Sequence, residues 1–274
     1  MAEPAVLYEV SDQIATVIFN RPDRLNAFNG EMEAGLRQAM ENAARDAGVR
    51  VIILTGAGRG FCAGADMERL SGAAGSGGAT IPREAPKPLD LGASLRADFE
   101  HRYSYFPAVP KPIIGAINGP AAGLGFVFAC YCDIRFAASE AILTTAFARR
   151  GLIAEYGLAW LLPRLVGPGR AADLLFSARR VSADEAERIG LVSAVFPQSQ
   201  FAARVREYAR ELASAASPRS MRVMKRQLWD GLLSSLDGAI ELANEEMRGS
   251  FLSEDFREGV AHFVEKRPAR FTGR

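Results

Sequence analysis

The chain has 274 residues, of which 49% are hydrophobic and 24% are charged, and its formal net charge is +1. A chain so close to neutral has no overall field that would favour nucleic acid or an anionic membrane, and its hydrophobic content is ample for a core. Because the cysteines number three, we expect buried free thiols in a reducing compartment, the cytoplasm. Residues 1–10 have no long apolar run, so we expect neither a signal peptide nor an anchor.

The first part of the chain predicts a β-hairpin, a helix and a strand. Residues 6–10 and 14–19 place apolar residues on either side of a short polar turn, which is typical of paired strands. After a loop at 20–27, Asn29 is placed to cap a helix with an apolar face at Met32, Leu36, Met40 and Ala43. Residues 51–55 are a β-branched run that predicts a strand.

Two turns of small residues are the most informative feature of the sequence. The first is FCAGAD at 61–66, beyond the strand at 51–55, and the second is NGPAAGLG at 118–125, after a predicted strand at 112–117. Small residues let a ligand approach the backbone closely, and a helix start leaves several N–H groups without internal partners. Two such turns brought together would aim two amide donors at one oxygen atom, which is the geometry of an oxyanion hole. Taken singly, a Gly-rich turn is most often only a tight turn.

The rest of the chain becomes increasingly helical. Residues 71–90 are rich in Gly, Ala, Pro and Ser, and they predict a long loop that is either a lid or a surface excursion. Further helices are predicted at 91–106, 126–131, 155–165 and 169–177, and another between a capping box at 182–185 and Gly190. Further strands are predicted at 133–137, 141–145 and 191–196. Residues 200–265 predict three or four amphipathic helices with breaks near Pro218 and Gly249. This order predicts an α/β core followed by a helical region.

Several common kinds of catalytic site do not fit the sequence. The chain has two histidines, His101 and His262, and no Gly-x-Ser-x-Gly motif, which argues against a serine triad. We find no His/Cys/carboxylate cluster at metal-ligand spacing, so we expect no metal site. The second turn has neither the order of a P-loop nor that of a dinucleotide-binding turn.

One carboxylate remains as a candidate catalytic group. Glu155 stands among apolar residues in GLIAEYGLAWLL, at the predicted start of a helix. It is either a first-turn acid that favours the helix dipole, or a general base in a dry pocket whose pKa is raised by desolvation. Two neighbouring cations, Arg149 and Arg150, either form surface ion pairs or line a cavity mouth.

The two turns together closely resemble those of the enoyl-CoA hydratase/isomerase (crotonase) superfamily. The resemblance extends over nearly the whole chain, through NRPDRLNA at 20–27, CDIR at 132–135, the segment 183–192 and a C-terminal signature from Phe251 to Arg267. It implies a spiral of ββα units over residues 1–199. It also implies a helical region over residues 200–274 that serves oligomerisation and acts as a lid on the acyl-CoA site.

The resemblance also implies a ligand and the residues that bind it. The ligand is an acyl-CoA thioester, which is substrate rather than cofactor, and the assembly is a homotrimer or a dimer of trimers, with no nucleic-acid or membrane partner. The backbone N–H groups that hold the thioester oxygen fall on Ala65 and Leu124. The implied CoA-binding and substrate-binding positions are Arg24, Ala27, Ala63, Gly64, Asp66, Met67, Gly123, Phe263 and Lys266, the last two reaching a neighbouring subunit's CoA.

The sequence departs from the hydratase pattern at two positions. The two glutamates that position water in typical hydratases fall on Val127 and Phe147, whereas Glu155 falls where several double-bond isomerases of the family carry their single carboxylate. We therefore expect an isomerase that converts 3-enoyl-CoA to 2-enoyl-CoA. The alternatives are a hydratase in which Glu155 alone activates water, and a CoA-ester-binding oligomer with little catalysis. Ala154 and Tyr156 replace the Pro and the small residue that often flank the carboxylate in those isomerases.

Overall fold

The computed structural model describes residues 3–66, 71–72, 75, 88–91 and 96–274. Their strands are β1 (Val6–Ser11), β2 (Ile14–Phe19), β3 (Val51–Gly56), β4 (Ile113–Ile117), β5 (Ala121–Ala122), β6 (Ile134–Ala138), β7 (Ile142–Thr144), β8 (Val181–Ser182) and β9 (Ala194–Phe196). Their α-helices are α1 (Gly30–Arg45), α2 (Leu124–Tyr131), α3 (Leu158–Val166), α4 (Pro168–Ser177), α5 (Ala183–Arg188), α6 (Phe201–Ala215), α7 (Pro218–Gly231), α8 (Leu236–Leu252) and α9 (Glu254–Glu265).

A six-stranded sheet forms the centre of the fold, in the order β1-β2-β3-β4-β6-β9. The predicted hairpin is confirmed, because β1 pairs antiparallel with β2 and Val6 lies opposite Phe19. All later pairs in this sheet are parallel. Val51, Ile52, Ile53 and Leu54 are all buried, as expected for a parallel strand covered on both faces. A second sheet of three short strands has the order β5-β7-β8.

Helices cover both faces of the large sheet. On one face Val17, Phe19 and Leu54 join a core that includes α1, whose N-cap Asn29 accepts a hydrogen bond from the Met32 N–H as predicted. On the other face the core is formed by Ile14, Val51, Ile53, Ile114 and Phe136 together with Phe201, Val205, Ala209 and Ala213 of α6. Because α6 packs on the sheet, the helices that are not part of this core are α7 to α9. A domain boundary at residue 199 stays a prediction.

Helices α7 to α9 bury little of their own surface. Their buried residues are the polar Lys225 and Asp255, while large apolar side chains such as Leu236 and Phe263 are about four-fifths exposed, at 78% and 80%. Lys225 ties α7 to the core, because its Nζ lies 2.8 Å from Oδ2 of Asp133 and donates to the Lys111 carbonyl oxygen at 3.0 Å. No helix in the described ranges is long and apolar enough to cross a membrane.

Three sequence predictions are wrong in detail. The described part of 91–106 is not an α-helix: it contains a 3-10 turn at Ala97–Phe99 and irregular backbone that nonetheless buries Tyr103 and Tyr105. Helix α3 begins at Leu158 and leaves Glu155 outside it, because Tyr156 and Gly157 adopt left-handed backbone. The break expected near Gly249 falls instead at Ser253, which caps α9. The helix start at Ser182 and the break at Pro218 are confirmed. Ser182 Oγ accepts the Glu185 N–H, but the Glu185 carboxylate pairs with Arg179 and does not complete a capping box.

Candidate active site

The two small-residue turns pair with each other through the backbone. Phe61 N–H and Cys62 N–H each donate to the Pro120 carbonyl oxygen at 3.1 Å, and Ala122 N–H donates to the Cys62 carbonyl oxygen at 2.9 Å. Cys62 and Ala121 thereby form a parallel β-bridge between the turns. Segments that are some sixty residues apart in sequence are therefore held side by side in register.

This pairing requires glycine at particular positions. A Cβ atom on Gly125 would collide with the Cys62 carbonyl oxygen and lie 2.8 Å from the Cys62 Cβ, so no larger residue fits between the turns. Gly64 and Gly123 have φ values of +98° and +52°, a left-handed region that glycine enters without steric cost. A Cβ on Gly64 would also lie 2.9 Å from the Ala122 carbonyl oxygen. The glycines of the two turns are therefore required by the close approach of the two backbones.

The backbone N–H groups of Ala65 and Leu124 have no backbone acceptor within the part of the chain that the structure describes, and the same holds for Gly125 in the first turn of α2. The neighbouring N–H groups of Asp66 and Gly123 donate to the Phe28 and Thr144 carbonyl oxygens at 3.1 Å. Leu124 is the first residue of α2, where helix N–H groups have no internal partner. Amide groups without an internal acceptor can donate to a carbonyl oxygen of a ligand.

Polar contacts fasten the loop at 20–27 to the first turn and to the residues just before it. The Asn26 amide, fully buried, donates to the carbonyl oxygens of Ala57 and Gly60 at 3.0 and 2.8 Å. The Arg21 guanidinium donates to Oδ2 of Asp66 at 2.8 Å. Asp66 is thus held by Arg21, a residue that the sequence analysis did not single out. Arg24 is exposed and Ala27 half-buried in the same loop.

Apolar side chains occupy the two positions where typical hydratases carry glutamate. Val127 is fully buried in α2, and Phe147 is 5% exposed. The Phe147 ring lies 4.0 Å from the Cβ position of Gly123, beside the second turn. Leu152 N–H donates to the Phe147 carbonyl oxygen at 3.0 Å, which leads the chain from this ring towards Glu155.

Glu155 is half-buried in the irregular segment that precedes α3. The dipole interpretation is weakened, since the helix begins three residues later. The next residue, Tyr156, packs its ring edge-on against the buried Tyr103, with centroids 4.7 Å apart. Arg149 and Arg150 are both exposed and donate to the Ser177 and Ala146 carbonyl oxygens, and neither forms an ion pair with another described residue.

The cysteine thiols are poor nucleophiles. Burial raises the pKa of Cys62 and of Cys130 to about 12, and it raises that of Cys132 as well. A thiol with such a pKa stays protonated near neutral pH. The described residues also contain no cluster of His, Cys, Asp or Glu that could hold a metal ion.

The remaining predicted positions are divided between the two turns and the end of α9. Ala63 and Gly64 lie in the first turn, half-buried and buried, and Gly123 caps α2. Phe263 and Lys266 are exposed at the end of α9, where Lys266 has left-handed backbone. Met67 and most of the loop at 71–90 lie outside the described residues.

Comparison with known proteins points to one family. A family model described as enoyl-CoA hydratase/isomerase matches residues 9–274. The chain is 35% identical to the 1,2-epoxyphenylacetyl-CoA isomerase of Escherichia coli strain K12, covering 98% of both chains, and 35% identical to a probable enoyl-CoA hydratase of Rhodobacter capsulatus, covering 100% of both. The structure superposes with a TM-score of 0.85 on a probable enoyl-CoA hydratase/isomerase from Mycobacterium abscessus, at 30% identity over 98% of this chain and 99% of that one. The predicted crotonase-like fold is confirmed.

Proposed function

The chain belongs to the enoyl-CoA hydratase/isomerase family, and from that premise we propose that it is an isomerase that converts 3-enoyl-CoA esters to 2-enoyl-CoA esters. Membership makes it an acyl-CoA enzyme; the reaction is the part that we propose. In this reaction the thioester carbonyl oxygen accepts hydrogen bonds from the N–H groups of Ala65 and Leu124. Glu155 removes a proton from C2 and returns it to C4.

The two amides supply the largest share of the catalysis. The α-proton of a thioester is a poor acid, and its removal places negative charge on the carbonyl oxygen. Amide donors that are already in position stabilise this charge without reorganisation, and the loss of one such donor typically costs about 2.7–4 kcal/mol. The support is that Ala65 and Leu124 belong to turns fixed by mutual hydrogen bonds and have no backbone acceptor in the described part of the chain.

The observation that carries the choice of an isomerase is the pair of buried apolar side chains Val127 and Phe147. Adding water across a double bond requires groups that anchor and activate the water, and neither side chain can hydrogen-bond it. Moving a double bond requires one base that keeps its proton, and an apolar wall helps to exclude water from the exchange. One carboxylate, that of Glu155, is enough for such a shuttle.

A hydratase is the second candidate, because one of the relatives is named a probable enoyl-CoA hydratase. In that reaction Glu155 would activate a water molecule for attack on C3 of a 2-enoyl-CoA ester. The two reactions share the amides and the base, and they differ in whether water enters the product.

The CoA moiety is proposed to lie against the first turn and the loop at 20–27. Ala63, Gly64 and Gly123 allow close approach of the ligand, Arg24 is exposed for its phosphates, and the Arg21–Asp66 pair holds the loop in place. Phe263 and Lys266 are proposed to reach the CoA of a neighbouring subunit in a trimer or a dimer of trimers. Their exposure in the single chain supports this assignment.

The test is deuterium incorporation with a panel of 3-enoyl-CoA and 2-enoyl-CoA esters in D2O. An isomerase yields the 2-enoyl product without a hydrated one, and because Glu155 keeps the proton that it carries from C2 to C4, deuterium at C4 stays low; a hydratase yields the 3-hydroxy ester with solvent deuterium at C2. Glu155→Gln is expected to lower kcat by about 10²–10⁴-fold with little change in CoA-ester affinity. Glu140→Gln, in an exposed turn, is the matched control. If Glu155→Gln stays within threefold of the parent rate, the base assignment is wrong.

A further inference from the structure

The turn that carries Glu155 has an unusual backbone conformation. Tyr156 and Gly157, the two residues that follow, have φ values of +53° and +77°. Left-handed backbone is uncommon for a tyrosine, and such a conformation persists only where surrounding groups hold it. The direction in which Glu155 leaves the chain therefore depends on whatever fixes these two residues.

The hydroxyl of Tyr131 contacts both of them. It donates a hydrogen bond of 2.7 Å to the Tyr156 carbonyl oxygen. A Cβ atom on Gly157 would lie only 2.9 Å from the same hydroxyl oxygen, so the hydroxyl packs directly against the glycine. Burial raises the pKa of Tyr131 to about 12, which keeps this hydroxyl protonated and able to donate throughout the neutral range.

The position of Tyr131 is itself tightly fixed. Its ring stacks with that of Trp229 at a centroid distance of 6.5 Å and an interplanar angle of 24°, and it contacts Phe106 at 5.9 Å. The Trp229 indole N–H donates to Oδ1 of Asp133 at 3.0 Å, and Asp133 also pairs with the buried Lys225. Tyr131 is thus a side chain with little freedom to move.

Tyr131 and Leu124 are the two ends of the same helix, α2. At the first end lies an amide without a backbone acceptor in the described ranges, and at the other end lies the hydroxyl that holds the turn after Glu155. An α-helix of eight residues is rigid, with a rise of about 1.5 Å per residue. It therefore sets the separation between the amide and the turn.

We propose that Tyr131 is a positioning residue: its hydroxyl fixes the turn at Tyr156 and so places the Glu155 carboxylate relative to the Leu124 amide. The inference rests on the proposed role of Glu155 as the base. Tyr131 touches no substrate in this scheme and acts through Glu155 alone. Its loss therefore affects proton transfer and leaves the binding of the CoA ester intact.

The test is Tyr131→Phe, which removes only the hydroxyl. Since a misplacement of about 1 Å can cost about 100-fold in rate, we expect kcat to fall by about 10- to 100-fold while KM stays within twofold. The matched control is Tyr105→Phe, because Tyr105 is also buried and its hydroxyl has no hydrogen-bond partner in the described part of the chain. This control is expected to keep the parent kcat.

A double variant distinguishes a positioning role of Tyr131 from a general weakening of the fold. In Glu155→Gln, the further change Tyr131→Phe is expected to leave the residual rate within twofold, because two residues that act through one step are not additive. A further loss of tenfold or more in that background, or an unchanged kcat for Tyr131→Phe alone, overturns the proposal. If Tyr131→Phe does not fold, Gly157→Ala displaces the same hydroxyl, and an unchanged kcat in that variant also overturns it.

Failure of the proposed function has a different signature. If Glu155→Gln keeps the parent rate, the base assignment fails first, and the role of Tyr131 falls with it. If Glu155→Gln loses activity and Tyr131→Phe does not, only the positioning role is refuted.

Discussion

Arg21 and Asp66 form an ion pair across 45 residues of sequence, with 2.8 Å between Nη1 and Oδ2. Both side chains are largely shielded from solvent, at 24% and 16% exposure. The pair joins the loop before α1 to the residue that follows Ala65, so it fixes the loop that the proposed CoA site shares with the first turn. A charged hydrogen bond of this kind is stronger than a neutral one.

Arg21→Met is predicted to destabilise the protein by about 1.5–3 kcal/mol, the usual contribution of a hydrogen bond to a charged group. The first turn is also predicted to loosen, which raises KM for CoA esters. Urea unfolding and steady-state kinetics measure the two effects. Arg24→Met is the control in the same loop: it is expected to raise KM without changing the free energy of unfolding, because Arg24 is exposed. Equal stability of the parent and Arg21→Met would contradict the prediction.

Gly125→Ala is predicted to separate the two turns. The new methyl group would overlap the Cys62 carbonyl oxygen, which accepts the Ala122 N–H, and both belong to backbone that cannot move independently. Overpacking of a well-packed interior costs about 1–3 kcal/mol, and we expect kcat to fall together with stability. Gly30→Ala is the control, since a Cβ there has no atom within 4 Å. A Gly125→Ala variant with parent kcat would show that the amides do not depend on this close approach.

Lys111 gives a pH dependence of stability. Burial lowers its pKa to about 8, against an ordinary value of 10.5, although nearby Asp46 acts in the opposite direction. Between those pH values the unfolded chain binds a proton that the folded chain does not, so the free energy of unfolding rises with pH in this window. Lys111→Met is predicted to remove that rise. Urea unfolding at pH 7.5 and 9.5 measures it as the difference between parent and variant, and an identical pH response would refute it.

Local signals in the sequence were enough to predict much of the fold. The hairpin, the cap at Asn29 and the cap at Ser182 are each contained within a few residues, and each is present where the sequence predicts it. The pairing of the two turns was also predictable, because their small residues are a steric requirement of close backbone approach. These features depend on local geometry, which the residue types at the positions concerned are enough to predict.

The errors have long-range causes. The segment before Pro107 has apolar residues at helical spacing, but Tyr103 and Tyr105 are buried by packing on distant residues, Phe128 and Arg37, and not by a helix of their own. The predicted start of α3 is too early because Tyr156 has left-handed backbone, and the hydroxyl that binds its carbonyl oxygen belongs to Tyr131, 25 residues away. Arg21 was missed for a similar reason, since an ion pair across two loops leaves no periodic pattern.

The apolar surface of α7 to α9 is predicted to be a subunit interface. Leu228, Leu236, Leu252 and Val264 are each more than 70% exposed, and a monomer rarely leaves so much apolar surface in water. Most soluble oligomers are symmetric assemblies of identical chains, so we expect a homo-oligomer. The resemblance to the crotonase superfamily implies a trimer or a dimer of trimers. Leu236→Glu and Leu252→Glu are expected to shift the mass measured by light scattering towards the monomer. Each would place a charge in a contact that lacks water.

The matched control is Val10→Glu, the same kind of change at a half-exposed position on β1, the edge of the large sheet. It is expected to leave the mass unchanged, since the proposed interface does not include that edge. The proposed roles of Phe263 and Lys266 make a further demand: a dissociated variant should bind CoA esters more weakly even though both turns are intact. If the parent protein is monomeric at micromolar concentration, or if the dissociated variants keep full affinity, a neighbouring subunit contributes nothing to the site, and residues of the first turn and the loop at 20–27 must bind the CoA by themselves.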